Sequence, residues 1–191
     1  MESTKGLTMR SNSVGYFSSY DRGLHCLLEM WPKVLKQVPD AKLEIFYGWN
    51  LYDKMHSQNP AMMKIKWQMI RLMNHPSITD HGRVSHAELA EAMKKIKVWA
   101  YPTEFTEINC ITALKAQEAG MIPVTTGCYA LATSVIDHTY SVRSTDIYTN
   151  EQDQKEFIAM LVKALGTEDY RPCKRDEWYW PAVAKEWEKV L

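Results

Sequence analysis

The sequence lacks a net charge and lacks long apolar runs. Its 191 residues include 23 Lys and Arg against 23 Asp and Glu, so no overall field attracts nucleic acid or an anionic membrane. Its apolar runs are far shorter than the roughly 20 residues that span a bilayer. The first twelve residues are polar and contain no apolar core of a signal peptide. We therefore expect no nucleic-acid partner, no integral membrane segment and a cytoplasmic location.

Cysteine and histidine patterns that hold metals are also missing. The cysteines form no C-x-x-C pair, and the histidines show no H-E-x-x-H spacing. The four cysteines are Cys26, Cys110, Cys128 and Cys173. This pattern favours reduced thiols and predicts no metal site. Cys110 stands near a predicted helix N-terminus, where a thiol pKa is lowered. No histidine is placed by the local sequence to act as its base, so we assign Cys110 a backbone role rather than nucleophilic catalysis.

Apolar periodicity switches repeatedly between a strand pattern and a helix pattern. Strand patterns fall at residues 13–18, 42–47, 77–84, 98–101 and 122–126. Helical patterns fall at residues 23–38, 60–74, 85–95, 108–119, 130–135, 151–165 and 181–191. Short links without hairpin signals predict an α/β fold, a Rossmann-like doubly wound parallel sheet with C-terminal helices.

The length and the order of elements suggest one main domain with two flanking segments. We expect residues 1–12 to be disordered or extended and residues 13–150 to form the Rossmann-like ligand-binding domain. Residues 151–191 are expected to form helices that pack on this domain or on a missing partner domain.

The carboxyl ends of the strands are where such a sheet binds ligands. No G-x-G-x-x-G or Walker fingerprint is present, which disfavours a dinucleotide dehydrogenase or a P-loop NTPase. A phosphate site can instead use free N–H groups at a helix N-terminus, helped by a nearby cation. A predicted helix opens near Asn109, Cys110 and Ile111 after the fourth strand, and Arg22 follows the first strand. Hydroxyl residues and glutamates share this edge, which suits a phosphate with a sugar attached.

Several stretches at these strand ends resemble the donor site of family-4 retaining glycosyltransferases. The longest reads PTEFTEINCI from Pro102 and continues through KAQEAG to IPV at residues 122–124. Two others read SSYDRGL from Ser18 and HGRV from His81, the latter followed by Glu88 and Leu89. The resemblance covers residues 13 to about 135. It implies that the chain is the donor-binding, C-terminal half of an enzyme with the two-domain GT-B fold.

The resemblance also implies a role for each matching residue. Glu107 contacts hydroxyls of the donor sugar and supports the positive charge that develops at the anomeric carbon. Arg22, in place of the family's Lys, neutralises the leaving diphosphate. The distal phosphate is held by the backbone N–H groups of Asn109, Cys110 and Ile111. The other implied contacts are Ser18, Ser19 and Gly23 with the phosphates, and Gly82, Arg83 and Val84 with the nucleobase. Because such enzymes work without a bound metal, no cofactor is expected beyond the sugar-nucleotide donor.

Lys115 is the main departure from the family pattern. It stands eight residues after Glu107, where the family has a second Glu that grips the ribose hydroxyls. A Lys side chain has donors only and accepts no hydrogen bond. Either Glu118, one helical turn on, takes over this contact, or the nucleotide binds in a different pose. The spacing of Lys115 and Glu118 equally fits a solvated ion pair on one helix.

The function that the resemblance implies is transfer of a sugar from a nucleoside diphosphate to a sugar or glycan acceptor, with retained configuration. Complete GT-B enzymes react in a cleft between two domains, and the acceptor domain is expected to be missing here, in cis or in trans. An alternative is a stand-alone sugar-nucleotide binding module, or half of a split enzyme without activity of its own. A nucleotide-sugar hydrolase or epimerase would need a further acid or base that the sequence does not reveal.

Overall fold

Five parallel strands form the single sheet of the computed structural model, which describes residues 10–170, 172 and 176–189. The strands are β1 (Ser13–Tyr16), β2 (Lys42–Ile45), β3 (Ile78–Asp80), β4 (Val98–Tyr101) and β5 (Ile122–Thr125). Their order is β3-β2-β1-β4-β5, and every neighbouring pair is parallel. The chain therefore builds outward from β1 in one direction and then from β4 in the other. This arrangement confirms the predicted doubly wound α/β fold.

Helices connect the strands and close the domain. They are α1 (Leu24–Leu35), α2 (Asn50–His56), α3 (Pro60–Met73), α4 (His86–Lys95), α5 (Ile111–Glu118), α6 (Leu131–Ser134), α7 (Glu151–Gly166) and α8 (Trp180–Trp187). A short 3₁₀ turn, Asp176–Trp178, precedes α8. Helix α1 packs against α3 and α7, and α7 also contacts β4 and β5. Helix α7, the first of the predicted C-terminal helices, thus packs against the sheet and α1.

Local capping explains where two of the helices begin. Ser85 accepts a hydrogen bond from the Glu88 N–H, and the Glu88 side chain accepts one from the Ser85 N–H, which is the predicted capping box. Asn59 caps α3 in a similar way, with Pro60 in the first turn. These side chains satisfy N–H groups that the helix itself leaves unpaired.

The core lies on both faces of the sheet and is rich in large side chains. Strands β1, β4 and β5 are buried along their whole length. Trp31 and Trp99 are the largest of the fully buried side chains. The Trp31 indole N–H donates to Ser77 Oγ at 2.9 Å, so its polar atom is satisfied inside the core.

Besides strand and helix ends that fall a few residues short of the predicted ones, three differences from the predicted elements concern the site. Helix α2 occupies a segment that the sequence pattern assigns to a loop. Strand β3 is shorter than predicted because Gly82 turns the chain at φ +61°, with its N–H bonded to Asp80 Oδ1. Helix α5 begins at Ile111 rather than at residue 108, because Cys110 has a non-helical backbone. Most of the predicted N-terminal segment, Cys173 and Leu191 lie outside the described residues.

Candidate active site

Gly23 brings the end of β1 against the end of β4. It precedes α1 with φ +108°, a conformation that side-chain-bearing residues rarely adopt. A Cβ atom at this position would stand 2.1 Å from the carbonyl oxygen of Pro102. Glycine is therefore needed both for the turn and for the close backbone approach. As a result, Arg22 lies beside the loop that carries Glu107.

Arg22 and Glu107 form an ion pair at the carboxyl edge of the sheet. Arg22 Nη1 lies 3.6 Å from Glu107 Oε1, and the guanidinium carbon lies 3.7 Å from the centre of the Phe105 ring. The Arg22 side chain is 34% exposed, whereas that of Glu107 is 10% exposed. The structure thus brings together the two side chains for which the sequence predicted roles at the diphosphate and the sugar. The cation remains accessible to an anionic ligand.

A second donor on Glu107 comes from Tyr101, which the sequence analysis did not single out. The Tyr101 hydroxyl donates to Glu107 Oε1 at 2.7 Å and accepts from Ser18 Oγ at 3.2 Å. Burial, and then the neighbouring carboxylate of Glu107, raise the pKa of Tyr101 well above its ordinary value. Ser18, predicted to contact phosphate, is buried, and its hydroxyl donates a hydrogen bond to Tyr101.

The predicted phosphate-binding amides differ in their availability. The Ile111 N–H donates to the Asn109 carbonyl at 3.2 Å. The N–H groups of Asn109 and Cys110 have no hydrogen-bond acceptor in the part of the chain that the structure describes. No protein acceptor among the described residues therefore competes for these two amides at the start of α5.

The prediction of a lowered thiol pKa for Cys110 is wrong. The side chain is buried, and this burial raises its pKa to about 11, although the N–H groups of Ala113 and Thr112 act in the opposite direction. Desolvation of the thiolate outweighs the helix N-terminus. The thiol is consequently a poor nucleophile, which agrees with a backbone role for this residue.

Lys115 and Glu118 line a groove of about 540 Å³ between α4 and α5. Lys115 Nζ lies 3.4 Å from His86 Nδ1, and Glu118 Oε2 accepts a hydrogen bond from the Tyr179 hydroxyl at 2.6 Å. Leu89 contributes to the apolar wall of the same groove. Lys115 and Glu118, the two residues of this helix that were assigned to nucleotide binding, thus border one concave surface, and each also contacts a residue outside α5.

The residues predicted near the nucleobase do not line this groove. Gly82 and exposed Arg83 form the turn after β3, and the Gly82 carbonyl accepts from the Tyr47 N–H at 2.8 Å. Val84 lines a second cavity of about 660 Å³ on the other side of α4, together with His81. Helix α4 therefore divides the predicted nucleotide-binding residues into two groups.

An Asp–His pair beside Arg22 is a further feature that the sequence analysis missed. Asp21 Oδ2 lies 3.2 Å from His56 Nε2, and both side chains are largely buried. Burial alone would raise the pKa of Asp21, but hydrogen bonds from Ser19 and His56 bring it below its ordinary value. His56 belongs to α2, so the pair could be found only once this segment was known to be helical.

No group of three or more His, Cys, Asp or Glu side chains among the described residues could hold a metal ion. No helix among them is both long enough and apolar enough to span a membrane.

A doubly wound sheet with a cation, a carboxylate and open helix amides at its carboxyl edge is typical of nucleotide-binding α/β domains. The chain belongs to the glycosyl transferases group 1 family, whose sequence model matches residues 11–167. No curated protein matches the chain.

Solved structures with the same fold are GT-B glycosyltransferases. The pneumococcal O-GlcNAc transferase GtfA, in complex with UDP and GlcNAc, matches with a TM-score of 0.67 and 14% identity, over 95% of this chain and 35% of that chain. Anabaena Alr3699/HepE in complex with UDP-glucose matches with a TM-score of 0.57 and 14% identity, over 94% of this chain and 48% of that chain. Sucrose-phosphate synthase from Thermosynechococcus elongatus matches with a TM-score of 0.57 and 16% identity, over 95% of this chain and 44% of that chain. The chain spans less than half the length of these structures, and its fold is that of one GT-B half.

Proposed function

We propose that this chain binds a nucleoside diphosphate sugar and supplies the donor half of a hexosyltransferase that retains the anomeric configuration. The observation that carries the proposal is the Arg22–Glu107 pair beside the open amides of Asn109 and Cys110. A cation and helix amides suit the diphosphate, while a carboxylate next to them suits the sugar hydroxyls.

The proposed chemistry divides between these groups. Arg22 can contact phosphate oxygens with a planar, two-pronged guanidinium, and the amides at the start of α5 add hydrogen bonds to the distal phosphate. Together they stabilise the diphosphate as it leaves, a task that a metal ion performs in other enzymes. Glu107 accepts from the sugar hydroxyls, and its negative charge supports positive charge at the anomeric carbon.

A second domain is part of the proposal. Ile108 is 94% exposed and Ile111 is 59% exposed, so apolar side chains flank the site. A domain covering this rim, in cis or in trans, would bury them and bring the acceptor. This same exposure favours the second candidate function, half of a split enzyme that binds the donor without transferring it. The GtfA/B complex offers a precedent for assembly among similar folds.

The donor class is best tested with the ligands named for the similar structures. UDP occupies GtfA, and UDP-glucose occupies HepE. We expect UDP or GDP to raise the unfolding temperature of the chain, since a ligand at about 100 times its Kd adds roughly 2.7 kcal/mol of stability.

Variants locate the binding at the proposed site. Arg22→Ala should abolish the stabilisation, whereas Arg71→Ala, an exposed arginine on α3, should leave it intact. Glu107→Gln should keep the response to UDP and GDP but lose any extra response to UDP-glucose or GDP-mannose. Absence of stabilisation by every nucleoside diphosphate would refute the proposal. Equal responses to nucleotides and nucleotide sugars in the wild-type chain would favour a nucleotide-binding module.

A further inference from the structure

We infer that Tyr101 is a positioning residue, which pins one carboxylate oxygen of Glu107 and leaves the other for the donor sugar. The inference rests on the proposed function in one respect only, the identity of the ligand that Glu107 meets. The position of the carboxylate itself can be tested without any ligand.

The Tyr101 hydroxyl is fixed by the sheet. Tyr101 is the last residue of β4, is 1% exposed and pairs with Thr125 of β5. Its ring stacks against Trp99 with centres 5.6 Å apart and is tilted against Tyr16 at 6.1 Å. A fully buried ring packed against two other aromatic rings has little rotational freedom.

Glu107, by contrast, stands in a segment without regular structure. Residues 102–110, between β4 and α5, contain neither strand nor helix. The Glu107 backbone is hydrogen-bonded to Phe105 and Ala130, but these bonds leave the orientation of the carboxylate to its side-chain contacts. The 2.7 Å hydrogen bond from Tyr101 holds this carboxylate against a buried residue of the strand.

The hydrogen bonds to Tyr101 have a defined direction. Ser18 Oγ donates to the phenolic oxygen, so the phenolic proton is directed to Glu107. Because its pKa is raised, Tyr101 stays protonated and remains a donor. Glu107 Oε1 therefore receives Tyr101 and faces Arg22, while Oε2 has no hydrogen-bond or ion-pair partner within the described residues. Oε2 is the oxygen left to accept from a ligand.

A purely structural role would give a different experimental outcome. Buried tyrosine hydroxyls need a partner, and Glu107 could serve only to satisfy Tyr101. In that case, removing the hydroxyl would lower stability without affecting how the chain distinguishes a sugar nucleotide from a nucleotide. The matched control is Tyr52, also 1% exposed, whose hydroxyl donates to the Met62 carbonyl at 2.7 Å.

The test compares Tyr101→Phe with Tyr52→Phe, using UDP and UDP-glucose as probes in calorimetric titrations. Tyr101→Phe should bind UDP as the wild type does and lose on the order of tenfold in its preference for UDP-glucose, the usual effect of a lost hydrogen bond to a charged group. Glu107→Gln alone should lose at least as much of this preference, and adding Tyr101→Phe to Glu107→Gln should cause no further loss. Tyr52→Phe should keep the preference. An unchanged preference in Tyr101→Phe, or an equal loss for both probes, would overturn the inference.

Crystal structures of the ligand-free wild type and Tyr101→Phe provide a readout that does not depend on the ligand. We expect the Glu107 carboxylate to leave its place beside Arg22 in the variant. If it stays there, Tyr101 does not position it. If the wild type binds neither probe, the proposed function fails, and the position of Glu107 in these structures still decides the role of Tyr101.

Discussion

Replacing Gly23 with alanine tests whether the close approach of two backbone segments builds the site. The new Cβ would lie 2.1 Å from the Pro102 carbonyl oxygen, whereas ordinary contact begins near 3.4 Å. Relief of this overlap requires the two segments to separate by about 1.3 Å, the difference between these distances. The φ of +108° adds conformational strain of roughly 1 to 3 kcal/mol for a residue with a side chain.

We expect Gly23→Ala to lower the free energy of unfolding in urea by about 3 kcal/mol, near the upper end of single-residue effects. The separation should also break the 3.6 Å Arg22–Glu107 contact, because it moves the two side chains on opposite segments. Nucleotide binding should fall as well, because Arg22 no longer keeps its position beside Glu107.

Gly82→Ala is the matched control for stability, since Gly82 also has a positive φ, of +61°, but a Cβ added there would meet no atom within 4 Å. Gly82→Ala should lose the stability that a positive φ costs a residue with a side chain, but it should create no steric overlap. Gly166→Ala, with open space and ordinary φ, should be close to neutral and should bind nucleotides normally. Equal losses of stability in Gly23→Ala and Gly82→Ala would refute the argument from the Pro102 contact.

Three further predictions concern a helix cap and the buried thiols. Ser85→Ala should lower the free energy of unfolding by about 1 kcal/mol through loss of the α4 cap, and exposed Ser57→Ala should change it little; similar effects of both would contradict the capping role. Burial raises the pKa of Cys110 to about 11 and that of Cys26 to about 12, from an ordinary value near 9. As the pH rises, the thiols of the unfolded chain lose their protons before those of the folded chain. The free energy of unfolding should therefore be unaffected by these thiols below about pH 9 and should decline as the pH rises through their folded pKa values of about 11 and about 12. At pH 8, peptide mapping after iodoacetamide should find half-exposed Cys128 labelled before both buried thiols, and equal labelling would count against their burial.

The sequence predicted most of the fold because its patterns are local. Short apolar runs mark β4 and β5, alternation of apolar residues marks β2, and the S-x-x-E sequence marks the start of α4 at Ser85. The order of strands and helices then leaves few topologies open, and the doubly wound sheet is one of them. Helix α2 was missed because its seven residues are too few to show a helical period.

The candidate site could be predicted in part, since its location follows from the rule for parallel sheets. Arg22 and Glu107 follow different strands at the carboxyl edge of the sheet, so the sequence was sufficient to predict that they lie close together. The Tyr101 contact was not, because it depends on how the loop after β4 folds back over the strand end. The Cys110 pKa depends on tertiary burial, which outweighs the local helix terminus. Likewise, only the packed structure shows that α4 divides the predicted nucleotide contacts.

The backbone contact at Gly23 has a mechanical consequence. With no room between them, the start of α1 and the start of the segment after β4 cannot move toward each other. Helix α1 in turn packs against α7, in the C-terminal part of the chain. A ligand that pushes the loop after β4 toward α1 would therefore displace α1 as well. Such a displacement would reach the surface where α1 and α7 meet.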